Sequence, residues 1–252
     1  MTNKFKDRVV LVTGGTSGIG KATALQFAKQ GAKVVVAGRR TEEGQKVVAE
    51  IKAAGGQGLF IKTDVSIEAD VRAMVDKTVA TFGKLDIAFN NAGVEEPFSP
   101  VSEKTAEGYR HVMDINVLGV LLSMKYEVPA MLKNGWGSII NTSSVAGHVG
   151  LPSMSVYVAS KHAVIGLTKT VALEVAKQNI RVNDVAPAAI RTEMFDRFAS
   201  GEGVEEHMAS LHPVGRIGTA DEVANAVLWL ADPANSFVTG QSIVVDGGML
   251  SQ

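Results

Sequence analysis

The chain contains no cysteine. That excludes disulfides, thiolate nucleophiles and cysteine-ligated metals. It is poor in aromatics, at 6%, and its formal net charge is only -1. Without a basic excess there is no electrostatic reason to expect nucleic acid or an anionic membrane as partner. No apolar run in the sequence approaches the roughly 20 residues of a membrane-spanning helix. Residues 1–7 lack the charged, apolar and small-residue order of a signal peptide. These absences lead to the expectation of a soluble, cytoplasmic protein. His111, His162, His207 and His212 show no metal-ligand spacing, and no HExxH or HxH pattern occurs. No metal site is expected.

What is present is core material. Of 252 residues, 46% are hydrophobic and 20% charged, too little charge for a disordered chain. Runs of strand length at 9–13, 33–38, 58–63, 85–90, 137–141, 180–185 and 242–245 are rich in β-branched residues and do not alternate strictly. Strands covered on both faces read this way. Between them, 21–29, 42–53, 67–81, 109–132, 156–176 and 221–230 carry apolar residues three and four apart. Strand–helix alternation predicts a single-domain α/β fold over 1–252: a doubly wound, Rossmann-type parallel sheet of about seven strands with helices on both faces. The stretch 188–218 lacks periodicity and holds Gly201, Gly203, Pro213 and Gly215. It is expected to be a lid over the substrate.

After the first strand come Gly14, Gly15, Thr16, Ser17, Gly18, Ile19 and Gly20, and then a helix. Glycines let backbone approach a ligand closely, and the N–H groups at the helix start favour an anion. The turn is a candidate pyrophosphate cradle, although its spacing differs from the standard dinucleotide fingerprint. An acid at the end of the second strand would accept from a ribose and favour NAD(H). Gly38, Arg39 and Arg40 stand there instead. Guanidinium groups suit a 2′-phosphate, so NADP(H) is expected over NAD(H).

The glycine turn is followed in order by Asn90-Asn91-Ala92-Gly93, Asn116, Ser144, Tyr157-x-x-x-Lys161 and a terminal Val-Asp-Gly-Gly at 245–248. This series resembles the short-chain dehydrogenase/reductase family from about residue 7 to the end. Tyr157 and Lys161 are four apart in a helical pattern and so share a face. A phenol of pKa near ~10 is a poor base at neutral pH, and a nearby ammonium should lower it. Such a tyrosine can donate a proton to a forming alkoxide and retrieve it. Ser144 follows the fifth strand and could hydrogen-bond the reacting oxygen. The resemblance selects it over Ser143, which is expected to serve a turn. Asn116 is a poor mid-helix residue. The resemblance implies that it holds a water relaying protons to Lys161, while a satisfied buried amide would explain it equally.

The resemblance further implies that Asn90, Asn91, Ala92 and Gly93 pass the adenosine ribose, and that Asp64 and Val65 meet the adenine. Lys161 would bind the nicotinamide ribose beside Tyr157, and Pro187, Ile190 and Thr192 would meet the nicotinamide. Asp64 also suits a helix start. Two residues depart from expectation. Ala188 stands where the family has glycine, which would be strained at positive φ, and Asp184 places a charge in a buried strand. His148 and Met154 are candidates for the substrate pocket with Ser144 and Tyr157, and Glu95 and Glu96 could sit at its mouth or in solvent.

The expected activity is hydride transfer between NADP(H) and the carbonyl or secondary alcohol of a small ketone, aldehyde or sugar-like molecule. A 3-oxoacyl-carrier-protein reductase is an alternative, with Arg191, Arg197 and Arg216 as a carrier-binding patch. A non-catalytic NADP(H)-sensing protein is another. Apolar residues on several faces of the later helices (Val164, Ile165, Leu167, Val171, Leu173) suggest self-association, and the resemblance implies a homotetramer.

Overall fold

A computed structural model describes residues 3–198, 201 and 203–252. Ala199, Ser200 and Glu202, within the expected lid, lie outside the described residues. The chain runs β1 (Val9–Thr13), α1 (Gly18–Lys29), β2 (Lys33–Gly38), α2 (Thr41–Ala53), β3 (Gln57–Lys62), α3 (Glu68–Phe82) and β4 (Ile87–Asn90). It continues through α4 (Ala106–Met113), α5 (Gly119–Leu132), β5 (Gly137–Thr142), α6 (Ser155–Val175), β6 (Ile180–Pro187) and β7 (Ile190–Arg191). Then come α7 (Glu193–Phe198), α8 (Val204–Ser210), β8 (Gly218–Thr219), α9 (Ala220–Ala231) and β9 (Ser242–Val245).

Seven strands form one sheet in the order β3-β2-β1-β4-β5-β6-β9, and every pairing in it is parallel. The valine-rich β1 is wholly buried because helices cover it from both sides. On one face Phe27 of α1, Ile51 of α2 and Val227 of α9 pack on Val10, Val12 and Val34. On the other, Met74 of α3, Met131 of α5 and Val164 of α6 pack on Leu11, Val35 and Ile139. The strand order reverses between β1 and β4, whose ends are level at Thr13 and Asn90. A crevice opens at such a switch point, beyond the carboxyl ends of the strands.

Local signals set the ends of several helices. α3 stops at Gly83, whose left-handed φ of 83° a side chain would resist. α9 starts at a capping box in which Thr219 and Glu222 satisfy each other's backbone N–H groups.

Several expectations need correction. The helix expected over 109–132 is interrupted by a π-helical turn, Asp114–Leu118, which contains Asn116. The helical run Ala106–Leu132, 27 residues long, contains an 18-residue stretch of mean hydropathy 1.3 and is long and apolar enough by composition to cross a membrane. Half of that stretch is buried inside the domain, because it is a core helix against the sheet and α3. The lid is not irregular: it carries α7, α8 and the short β7–β8 ladder. Val164 and Ile165 are buried in the protein's own interior, Leu167 and Val171 pack against the core, and Leu173 alone of the five stands out at 83% exposure. Ala188 is free of the feared strain, since the described non-glycine residues with positive φ are Asp7, Ser153 and Asn179.

Candidate active site

The glycine-rich turn closes tightly on its neighbours. A Cβ on Gly14 would lie 2.9 Å from the Cα of Ala92, and one on Gly20 would lie 2.3 Å from the Gly14 carbonyl. Thr13 Oγ1 accepts the N–H groups of Asn91 and Ala92 at 3.0 and 3.1 Å, and Asn91 Nδ2 donates to the Thr13 carbonyl at 3.1 Å. This stitches the ends of β1 and β4 together. α1 begins at Gly18, has no acid in its first turn, and its Ser17 cap makes no side-chain bond to the helix. Its opening N–H groups and dipole are therefore available to an anion.

A cleft of about 480 Å³ lies along this turn. Gly14, Thr16, Ser17, Gly18, Ile19, Arg39, Arg40, Asp64, Val65, Asn91, Ala92, Gly93 and Thr192 all line it. A cradle of free helix N–H groups and cationic side chains lining the same cleft fit a dinucleotide. Arg40 reaches over the turn, donating to Ser17 Oγ at 2.5 Å and Thr16 Oγ1 at 3.2 Å, and pairs with Glu193 of α7 at 2.7 Å. Asp64 Oδ1 accepts from the backbone and hydroxyl of Ser66 at 3.0 and 2.7 Å. Burial alone would raise its carboxyl, but those two bonds and the charges of Arg39 and His111 hold it below the usual value.

Gly20, Asn90, Pro187 and Ile190, also expected at the cofactor, do not line this cleft. Gly20 packs behind the turn. Asn90 is buried and donates to Glu127 Oε2 and Asn141 Oδ1, both at 3.0 Å, within the sheet–helix layer. Pro187 ends the buried β6, and the Ile190 side chain joins the core under α9.

Beyond Gly93 the second half of the site begins. A Cβ on Gly93 would lie 3.7 Å from Lys161 Nζ and 3.2 Å from Asn116 Oδ1. Lys161 Nζ donates to the Thr142 carbonyl at 2.9 Å and stands 5.5 Å from the centre of the Tyr157 ring. Ser144 is 8% exposed, accepts from the Ala146 N–H at 3.1 Å and donates to the Pro187 carbonyl at 3.3 Å. Burial lowers Lys161 to about 8, with Asp184 pulling the other way. Burial raises the Tyr157 phenol above its ordinary value; a hydrogen bond with the Ser144 hydroxyl opposes this and the Glu95 charge adds to it. The lowered phenol expected from Lys161 is thus not found: loss of solvation is the largest effect, and the opposing one comes from Ser144 rather than from the ammonium.

Asn116 is buried at 1% exposure, and its amide is largely spent. Oδ1 accepts the Val94 N–H at 2.8 Å, while Nδ2 donates to the Val94 carbonyl at 2.9 Å and to Ser160 Oγ at 3.1 Å. Ser160 Oγ in turn donates to the Tyr157 carbonyl at 2.7 Å. The widened π turn presents this amide to the loop after β4. His148 Nε2 meets Ser242 Oγ at 2.9 Å, behind Ser144, and Met154 sits half-buried at the cap of α6.

The model of a family described as enoyl-(acyl carrier protein) reductase matches residues 14–250. Cyclohexanol dehydrogenase of Acinetobacter sp. (strain SE19) is 47% identical over 252 residues, covering 100% of this chain and 98% of that protein. The chain belongs to the short-chain dehydrogenase/reductase family. A 2,5-dichloro-2,5-cyclohexadiene-1,4-diol dehydrogenase of Sphingobium indicum (strain B90A) is 46% identical over 243 residues, 96% of each chain. The solved structure of ElxO with NADP bound superposes with a TM-score of 0.91 at 37% identity, covering 97% of this chain and 99% of that one. This short-chain dehydrogenase/reductase is accordingly an oxidoreductase that uses a nicotinamide cofactor on alcohol or carbonyl groups.

Sequence reasoning left Glu96 undecided and passed over Lys104. Glu96 is 6% exposed; its Oε1 accepts the Tyr157 N–H at 2.8 Å and its Oε2 pairs with Lys104 Nζ at 2.7 Å. The available signal was negative: α6 opens with Met154 and carries no acid in its first turn, so its cap had to come from another segment. Glu95 instead holds Arg197 of α7 at 2.8 Å across the cleft. Arg191 pairs with Glu205, and Arg216 with Glu222 at 2.7 Å. Each arginine of the expected carrier patch therefore already has an acid.

Proposed function

We propose that this enzyme interconverts secondary alcohols and ketones on six-membered carbon rings, with NADP(H) preferred over NAD(H). The observation that carries the reaction is the convergence of Tyr157, Lys161 and Ser144 beyond Gly93: Lys161 Nζ stands 5.5 Å from the centre of the Tyr157 ring, and the Ser144 hydroxyl acts on the phenol. The nicotinamide, when bound, supplies or accepts the hydride. Ser144 orients the carbonyl oxygen, and the Tyr157 hydroxyl donates its proton to that oxygen or takes it back. Lys161 binds the ribose hydroxyls and stabilises the phenolate, while Asn116 fixes Val94 and Ser160 around them. A raised phenol suits reduction at neutral pH, where the proton is in place to be given.

The cofactor preference is supported by Gly38, which closes β2 without an acid, and by Arg39 and Arg40 on the cleft wall. The ring preference is supported by two dehydrogenases 47% and 46% identical to this chain, both named for six-membered ring alcohols. Paired arginines on the lid argue against an acidic carrier protein as substrate. Exposed Leu173, Phe237 and Trp229 support a homotetramer, to be measured by light scattering. The deciding assay is nicotinamide absorbance with cyclohexanol and cyclohexanone, with each cofactor. A higher kcat/KM with NAD(H) overturns the cofactor assignment, and turnover of open-chain substrates only overturns the ring assignment.

A further inference from the structure

Asp184 places a carboxylate in the middle of β6, a strand buried along its whole length. It has no exposed surface. An unpaired charge there would be strongly destabilising. Oδ1 accepts from the hydroxyl of Ser143 and from Ser242 Oγ at 2.6 Å, while Oδ2 has no partner among the described residues. Ser143 follows Thr142, the residue whose carbonyl holds Lys161 Nζ. Lys161 itself is only 6% exposed, and no carboxylate lies within ion-pair distance of it among the described residues. A buried ammonium and a buried carboxylate are thus held by consecutive residues, Thr142 and Ser143, at the end of β5.

We infer that Asp184 is the buried counter-charge of Lys161, a positioning residue that keeps the ammonium protonated at neutral pH. The groups facing Asp184 are Ser143 at the end of β5, Ser242 of β9, His148 of the loop after β5 and Lys161 of α6. Burial holds the carboxyl above its usual value, although all four of those groups pull it down towards the charged form. In return, Asp184 opposes the burial that draws Lys161 down to about 8. For its effect on turnover the inference rests on the proposed role of Lys161; its effect on titration does not.

The test uses unliganded D184N, in which the amide oxygen can still accept from both hydroxyls. The Lys161 titration is read by NMR of the lysine Cε–Hε signals, assigned with K161R. The expected midpoint in D184N is lower by about one unit, and the alkaline limb of carbonyl reduction moves down with it. A folded D184N with an unchanged Lys161 midpoint overturns the inference. If D184N does not fold, S242A decides. It removes one donor from the carboxylate, so the Lys161 midpoint should fall by a smaller amount, and an unchanged midpoint overturns the inference equally. Should Tyr157→Phe retain turnover, the proposed reaction fails while this titration still stands or falls alone.

Discussion

The carboxylate of Glu96 accepts the backbone N–H of Tyr157 at 2.8 Å while its other oxygen holds Lys104 at 2.7 Å. Lys104 also donates to the carbonyls of Pro97 and Ser153, both at 2.9 Å. The loop after β4 and the start of α6 are therefore one unit. An acid at a helix start also meets the positive end of the dipole. Glu96→Ala strands the largely buried Lys104 ammonium and uncaps α6. The expected loss is about 3 kcal/mol of stability, read as a lower Tm, with a fall in kcat. Glu96→Gln keeps an acceptor for the Tyr157 N–H and should recover part of both.

Tyr157→Phe removes only the phenolic hydroxyl, on which Ser144 acts. The variant should fold, bind NADPH as the parent does, and lose turnover by at least about 10²-fold, the usual contribution of a general acid–base group. Absorbance of the reduced nicotinamide reads turnover, and fluorescence titration reads binding. Near-normal turnover would remove the proposed mechanism.

Arg40 lies over the glycine-rich turn and pairs with Glu193 from α7. Arg40→Ala should lower kcat/KM with NADPH by about 10- to 100-fold, the value of one charge-assisted contact to a phosphate. Activity with NADH should change little. An equal loss with both cofactors would place Arg40 at the pyrophosphate and leave the 2′-phosphate to Arg39.

Glu127 is fully buried, and burial raises it to about 7 against one opposing hydrogen bond from Asn90. Its Oε1 and the Asn90 Oδ1 otherwise lack partners, so a protonated carboxyl contributes a donor the site can use. The folded state holds the proton that the unfolded chain releases near pH 4.5. Stability from this group is therefore full below that pH, falls as pH rises towards about 7, and levels off above it. Glu127→Gln is neutral throughout. Relative to the parent it should gain on the order of 3 kcal/mol between those limits, measured by urea unfolding across the pH range. A pH-independent difference would refute a neutral Glu127.

Much was determined by the sequence itself. β-branched runs separated by amphipathic stretches can bury their faces only as a parallel sheet between helix layers, and short-range chemistry dictates the glycine turn, the bare end of β2 and the four-residue spacing of Tyr157 and Lys161. Tertiary structure alone decided the rest. Glu96 and Tyr157 are 61 residues apart, and Ser242 and Asp184 are 58 apart. Whether such a carboxylate is a solvated charge, a cap or a counter-ion depends on what the fold brings against it. The sign of the Tyr157 shift was settled in the same way: spacing places an ammonium beside the phenol, but only packing determines how much water both have lost, and here that loss is the larger effect.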